Sequence, residues 1–223
     1  MGETNSSTLE RIHAAAQAEF LKKGYQGASL RNIVKTAGVT TGALYGYYDS
    51  KEALFAALVD ESYRHVLDTY RAAVFGFEAL RPEEQVAQMG DVGKNCMREL
   101  LTYMDARRPI FHLILERAEG TPYAALIDQM VTLEVEATER YTQVLRSMGK
   151  TVPDIDRRLE HMLVTGMMNA YCEIIIHDMP IEDAQRYREE LGDFYTAGVL
   201  YRRLGENYGA VMLYNFSPAV SGY

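Results

Sequence analysis

The stretch TTGALYGYYDSKEALF, Thr40 to Phe55, gathers residue types that suit contact with a polyanion groove. From Thr40 to Tyr48 it holds two glycines, two threonines, three tyrosines and no charge. Glycine costs a helix interior ~1 kcal/mol against alanine, so its use needs a reason. Gly42 and Gly46 leave the backbone bare, which lets it approach another surface closely. Thr40 and Thr41 offer hydroxyls to base edges or phosphates and methyls to thymine. Tyr45 and Tyr47 offer hydroxyls to phosphates. Lys51 stands in the first turn of the next helix, where a cation opposes the macrodipole. An anion bound there would be met by free N–H groups, the dipole and lysine together.

These groups need elements to position them. Ser29 reads as the N-cap of a short helix with Ile33, Val34 and Ala37 inward, stopped at Gly38. Thr40 caps a second, Thr41 to Tyr47, and Ser50 a long third running to about Phe75. The pair joined across Ala37-Gly38-Val39 has the helix–turn–helix arrangement. In that motif the second helix leads into the DNA major groove with its N-terminal residues. Leu44 and Tyr48, four apart, share a face and should point inward; Thr41 and Tyr45 share another. Upstream, Ser7-Thr8-Leu9-Glu10 reads as a capping box opening a helix that ends at Gly24.

Downstream, prolines at 82, 109, 122, 153 and 180 each precede a stretch with helical apolar spacing. Proline is favoured at the first helical position and barred from helix interiors. The expected helices are roughly 82–107, 109–119, 122–148, 153–178 and 180–204, with Thr121 as an N-cap. No alternating run bounded by turn residues appears, so no strand is expected. The reading is all-α, nine helices in two domains. Residues 1–50 form a helix–turn–helix domain, 51–205 a helical domain for ligand binding and dimerisation, and 206–223 an irregular tail.

Composition sets the class. Apolar residues make up 48% and charged ones 24%, enough to bury a sizeable core. No apolar run approaches the length of a membrane span, and no signal peptide is evident, so a cytoplasmic chain without a membrane partner is expected. Cys96 and Cys172 lie far apart and are expected to be free thiols. The net charge of −8 argues at first sight against nucleic acid. Its distribution matters more: residues 1–59 balance at +1 and the remainder at −9, which fits two modules with different partners.

Residues 8–59 resemble the DNA-binding domain of the TetR family of transcriptional regulators. The elements that carry the resemblance are Phe20, Gly24-Tyr25, the Ser29-x-Arg31-x-x-Val34 block and Ala37-Gly38-Val39. The Leu44-Tyr45-x-Tyr47-Tyr48 core and the Lys51-Glu52-x-Leu54-Phe55 helix start complete it. The family usually carries a larger residue where this chain has Gly46. The resemblance implies a homodimer that binds a double-stranded operator. With the reading above, the DNA-facing set is Ser29, Arg31, Thr40, Thr41, Gly42, Tyr45, Tyr47 and Lys51.

The acidic helical remainder looks like that family's ligand-binding and dimerisation half. A pocket there should be apolar with few polar anchors. The expected lining is Met97 and Met104, then Phe111, His112 and Glu116, then Tyr123 and Met130, and finally Met168, Asn169 and Cys172, for a small hydrophobic ligand of unknown identity. Leu159, Gly166 and Ala170 on the eighth helix, with Phe194, Gly198 and Tyr201 on the ninth, form small or apolar stripes suited to a four-helix dimer seam. Glu134, Glu136, Glu139 and Arg140 read as a solvent-facing polar face.

No catalytic constellation is present: there is no P-loop, GxGxxG, HExxH or GxSxG. His112 and Glu116, four apart, could hold a metal, but no second ligand pair accompanies them. No cofactor, metal or enzyme activity is expected. The function expected is a ligand-responsive repressor binding a pseudo-palindromic operator. The alternatives are a DNA-binding structural or interaction protein of the same fold without a ligand, and a helical enzyme.

Overall fold

The computed structural model describes residues 2–204, with side chains described for 8–180 and 182–195. The tail at 206–223 lies outside the described residues. Among these the chain is all-α, with nine α-helices and no strand. They are α1 (Gly2–Gly27), α2 (Leu30–Ala37), α3 (Thr41–Tyr45), α4 (Lys51–Glu78) and α5 (Pro82–Asp105). Then come α6 (Arg108–Glu116), α7 (Leu126–Ser147), α8 (Arg157–Ile176) and α9 (Ile181–Leu204).

The chain divides into two compact units. The first is Met1–Thr69, Leu100–Gln129 and Cys172–Met179; the second is Tyr70–Glu99, Met130–Tyr171 and Pro180–Tyr223. Residues 1–50 fall whole within the first unit, and residues 51–205 are shared between the two.

In the first unit, α1 is already running at Ser7, so the Ser7–Glu10 box does not open it. Its far end does break at Gly24, as glycine allows: φ is 69° and ψ 166°. That kink lets the Tyr25 N–H reach the Arg117 carbonyl at 2.8 Å, and one further turn follows. Tyr25 then packs edge-on to Phe55, with ring centroids 5.2 Å apart, and Phe55 meets Phe20 at 5.0 Å and 90°. Ile12, Ala16, Ile33, Leu44, Leu54 and Val59 fill the space around them and are all buried. The larger of these side chains, the isoleucines, leucines and valine, each contribute about 1.5–3 kcal/mol by leaving water.

Helix α2 ends in a Schellman motif. Gly38 adopts φ 65° and ψ 37°, its N–H bonds the Lys35 carbonyl, and the Val39 N–H bonds the Val34 carbonyl at 3.1 Å. This left-handed residue sets the turn between α2 and α3.

In the second unit, Gln85 is buried and caps the end of α4, its amide donating to the Glu78 and Leu80 carbonyls at 3.2 and 3.0 Å. Tyr141, Leu145 and Val152 form a core cluster with Phe77, Val86 and Met89 against it. The expected helix over 153–178 starts later, at Arg157. The Asp156 carboxylate accepts the Arg158 N–H at 2.8 Å and so caps the helix, while Arg146 bonds the Val152 carbonyl and the Asp154 carboxylate in the irregular segment before it. Pro122 opens a 3₁₀ turn, Pro122–Ala125, before α7 begins. Thr121 caps it as expected, accepting from the Tyr123 N–H at 3.2 Å.

Two glycines in the helix–turn–helix have opposite requirements. Gly38→Ala forces a side chain into the left-handed region and should cost about 1–2 kcal/mol. Gly42 lies in helix with nothing within 4 Å of where a Cβ would sit, so Gly42→Ala should stabilise by about 0.5–1 kcal/mol. Denaturant titration of both variants checks the signs.

Candidate functional site

The outward face of α3 begins with its cap. The Thr40 hydroxyl oxygen accepts the Ala43 N–H at 3.1 Å, which fixes the start of the helix and leaves the side chain exposed. Leu44 is buried to 1% exposure and turns the helix inward. Tyr48 follows it inward, its hydroxyl hydrogen-bonded to His13 Nε2 of α1. Burial lowers the His13 pKa and raises that of Tyr48, so the neutral pair is favoured. The opposite face carries Thr41, Gly42, Tyr45 and Tyr47 to solvent, with Tyr45 51% exposed. Arg31 on α2 is exposed as well. Gly46 has an ordinary helical φ of −71°, so its backbone does not demand glycine. A Cβ there would stand 3.3 Å from the Ala43 carbonyl oxygen, a close but not forbidding approach.

Two anchors differ from the sequence reading. Ser29 is the N-cap of α2, but its hydroxyl makes no capping bond. The Glu19 carboxylate instead accepts from the Ser29 N–H at 3.2 Å and from Asn32 Nδ2 at 3.0 Å. Lys51 has a structural reason for its place against the macrodipole. Its ammonium donates to the Gln26 and Ala28 carbonyls at 3.2 and 3.4 Å and lies 4.7 Å from the Tyr25 ring centre. These carbonyls follow the kink of α1, where a cation is favoured. Tyr25 is itself held to Glu52, and burial with that carboxylate raises its pKa to about 12.

The second unit contains a cavity of about 180 Å³. Of the ten expected ligand residues, Met97 and Met168 line it. Met130 is buried in the same unit but is not on its wall. Asn169 is exposed, its amide donating to the Thr165 carbonyl at 2.8 Å. Met104, Phe111, His112, Glu116, Tyr123 and Cys172 belong to the first unit. There Phe111 is fully buried core, and the Tyr123 hydroxyl bonds Asp60 at 3.1 Å. The apolar periodicity that suggested these residues reports burial, and burial alone does not distinguish packing from lining.

The wall has members that periodicity passed over: Tyr70, Phe77, Glu134, Tyr141, Tyr171 and Tyr195. Glu134 departs from the expected solvent face. It is half-buried, lines the cavity and accepts the Tyr70 hydroxyl at 2.6 Å. Its neighbour Arg140 is likewise engaged, with Glu78 at 2.6 Å. The close glycines Gly90 and Gly93 on α5, both on the wall, were the available sign of open space.

On α8, Met162 and Leu163 are 68% and 48% exposed, Gly166 is exposed, and Leu159 and Ala170 are partly covered. Phe194 on α9 is 48% exposed. Gly198 and Tyr201 lie outside the residues whose side chains are described. Among the described residues no group of three or more histidine, cysteine, aspartate or glutamate side chains could hold a metal ion. No described helix is long and apolar enough to cross a membrane.

His112 forms a polar knot within the first unit. Its Nδ1 lies 2.6 Å from Glu116 and its Nε2 3.1 Å from Asp178, a residue at the left-handed φ of 48° after α8. Arg108 joins the same carboxylate at 3.4 Å and the Asp105 carboxylate at 2.8 Å.

Two short helices at a glycine turn, the second turning hydroxyls and bare backbone outward, make a helix–turn–helix unit of the DNA-binding kind. The model of the bacterial regulatory proteins of the tetR family matches residues 12–58. The HTH-type transcriptional regulator UidR of Escherichia coli is 33% identical over 197 residues, covering 85% of this chain and 94% of UidR. YvdT of Bacillus subtilis, an HTH-type transcriptional regulator, is 36% identical over 78 residues, 35% of this chain. The chain spans only 40% of YvdT, and 65% and 54% of two further curated relatives. A TetR-like transcriptional regulator from Rhodococcus sp. RHA1 shares the fold, with a TM-score of 0.52 and 18% identity over 86% of this chain and 94% of that one. The chain belongs to the TetR family of bacterial transcriptional regulators.

The His112 knot yields a pH dependence. Burial by itself would lower the imidazole pKa, but Glu116 and Asp178 outweigh it and raise the value above 6.5. The folded state therefore binds the proton more tightly than the unfolded state. Its contribution is complete below pH ~6.5 and is lost as pH rises through the raised value. His112→Asn should remove this part of the stability–pH curve, which denaturant titrations between pH 6 and 9 would measure. A curve unchanged by the substitution would contradict the assignment.

Proposed function

We propose that the chain is a dimeric, ligand-responsive repressor that binds a pseudo-palindromic operator and acts in the cytoplasm. The observation that carries the reading is the division of α3. Leu44 and Tyr48 face the core, while Thr40, Thr41, Gly42, Tyr45 and Tyr47 face outward. An outward face of hydroxyls and bare backbone suits a groove wall. Thr41 and Tyr45 read bases, and Arg31, Ser29, Tyr47 and Lys51 hold phosphates. Lys51 keeps its two carbonyl contacts and has a third N–H for the phosphate.

Residues 1–50 carry DNA recognition in this reading, and residues 51–205 carry ligand and dimer contacts. The exposed apolar residues Met162, Leu163 and Phe194, with Gly166 between the first two and the last, support a seam between two copies. A two-fold dimer places its recognition helices about 34–36 Å apart for successive major grooves. The cavity supports the ligand response. A small molecule that favours another spacing withdraws the dimer from DNA in proportion to its preference for that state.

Repeated selection of random duplex DNA by the full chain should enrich a two-fold symmetric site. On that site Thr41→Ala should lose about 1–3 kcal/mol at particular base pairs and relax preference there. Lys51→Ala should weaken all sequences alike and lower the salt dependence by about one counterion per subunit. It should also lower the thermal midpoint of the free protein, because the carbonyl contacts go with it. A selection that enriches no symmetric site, or a Thr41→Ala protein with unchanged base preference, would overturn the reading.

A further inference from the structure

The cavity of the second unit has one charged feature that an apolar ligand would not need. Its wall is rich in aromatic and methionine side chains, among them Tyr70, Phe77, Tyr141 and Met168, with small residues between them. Into it comes the half-buried carboxylate of Glu134, set on α7 and held by the Tyr70 hydroxyl. Among the described residues no lysine or arginine pairs with Glu134. The cation on the wall is Lys94, and its ammonium is bound to Asp193 of α9. Gly192 makes room for that pairing: a Cβ there would come within 3.1 Å of Lys94 Cγ. The Lys94–Asp193 pair cancels, and the cavity is left with the charge of Glu134.

The other titratable groups add no second anion. Burial raises the Cys96 thiol to about 12, helped by the charges of Glu99 and Glu134. Burial and Glu134 likewise raise the Tyr70 phenol well above its ordinary value. Both stay protonated at neutral pH.

A carboxylate in an apolar surround is costly unless a counter-charge meets it. Aromatic faces add attraction for the same sign of ligand, since a cation is drawn to the ring quadrupole. Size gives the other constraint. An apolar cavity of about 150 Å³ takes a benzene molecule. One of about 180 Å³ takes a single ring with a short arm.

The geometry points to a ligand that is a small lipophilic monocation: one apolar ring or an equivalent aliphatic body, with an ammonium group that meets the Glu134 carboxylate. The ring lies among the tyrosines and methionines of α5, α7 and α8. The ammonium donates to Glu134 beside the Tyr70 hydroxyl. This rests on the ligand-responsive reading above and gives it a chemical class.

Calorimetric titration of the full chain at neutral pH with three probes tests it: phenethylammonium, 2-phenylethanol and phenylacetate. They differ little in shape and carry charges of opposite sign or none. The ammonium should bind at least about tenfold more tightly than the alcohol, and the anion most weakly. Glu134→Gln, which keeps an acceptor for Tyr70, should bring ammonium and alcohol to within about threefold. Equal or better binding of the alcohol or the anion by the unmodified chain would overturn the proposal. So would a preference that survives Glu134→Gln, or no binding by any probe. The probe series on the unmodified chain decides the matter even where the variant does not fold. Operator affinity measured in parallel separates the two readings. Release by the alcohol or anion alone would overturn the cationic class and leave ligand control standing. Ammonium binding that depends on Glu134 and leaves operator affinity unchanged would support the cationic class and remove ligand control.

Discussion

The anchoring of α3 governs what the N-terminal part of this chain can recognise. A five-residue helix has little stability of its own and takes its orientation from what it is packed against. Here Leu44 is driven into the core and Tyr48 is tied to His13 of α1. These two residues fix the rotation of the helix about its axis. The exposure of Thr41 and Tyr45 follows from that rotation, as does the open space beside Gly42. The glycine at 38 adds the turn, and the aromatic packing of Phe20, Tyr25 and Phe55 holds α1 and α4 as the frame. The face of α3 proposed to meet DNA carries no lysine or arginine, and hydroxyls and bare backbone are useful in a groove only when presented on one face.

Much of this was legible because the signals are local. Prolines and caps placed the helices, and the spacing of Leu44 and Tyr48 gave their shared face. The Thr40 and Ser50 caps are present as the residue types suggest, the latter accepting the Ala53 N–H at 3.1 Å. What escaped is non-local. Lys51 meets carbonyls more than twenty positions earlier, and nothing in its own helix announces them. Glu19 acts as the anchor of α2 through a contact ten residues away. One local competition was missed as well: the Asp156 side-chain cap, two residues from its partner N–H, starts α8 in place of Pro153.

The cavity shows the same limit more sharply. Methionine and aromatic spacing identified inward faces, and most inward side chains are packing. Met97 and Met168 line the space, whereas Phe111 is solid core. Glu134 looked like one of several surface carboxylates on α7. Its burial and its bond to Tyr70 depend on a residue sixty-four positions away. The charge that gives the cavity its character is thus set by tertiary structure, and by the withdrawal of Lys94 to Asp193.

The central claim is that α3 meets DNA with the face that Leu44 and Tyr48 turn outward. Amide and side-chain NMR shifts of the full chain, followed as a selected operator duplex is added, test it most directly. The account predicts the largest changes at Thr40, Thr41, Gly42 and Tyr45, with the His13–Tyr48 contact preserved. Shifts that spare Thr40 to Tyr47 while the duplex is bound would contradict it.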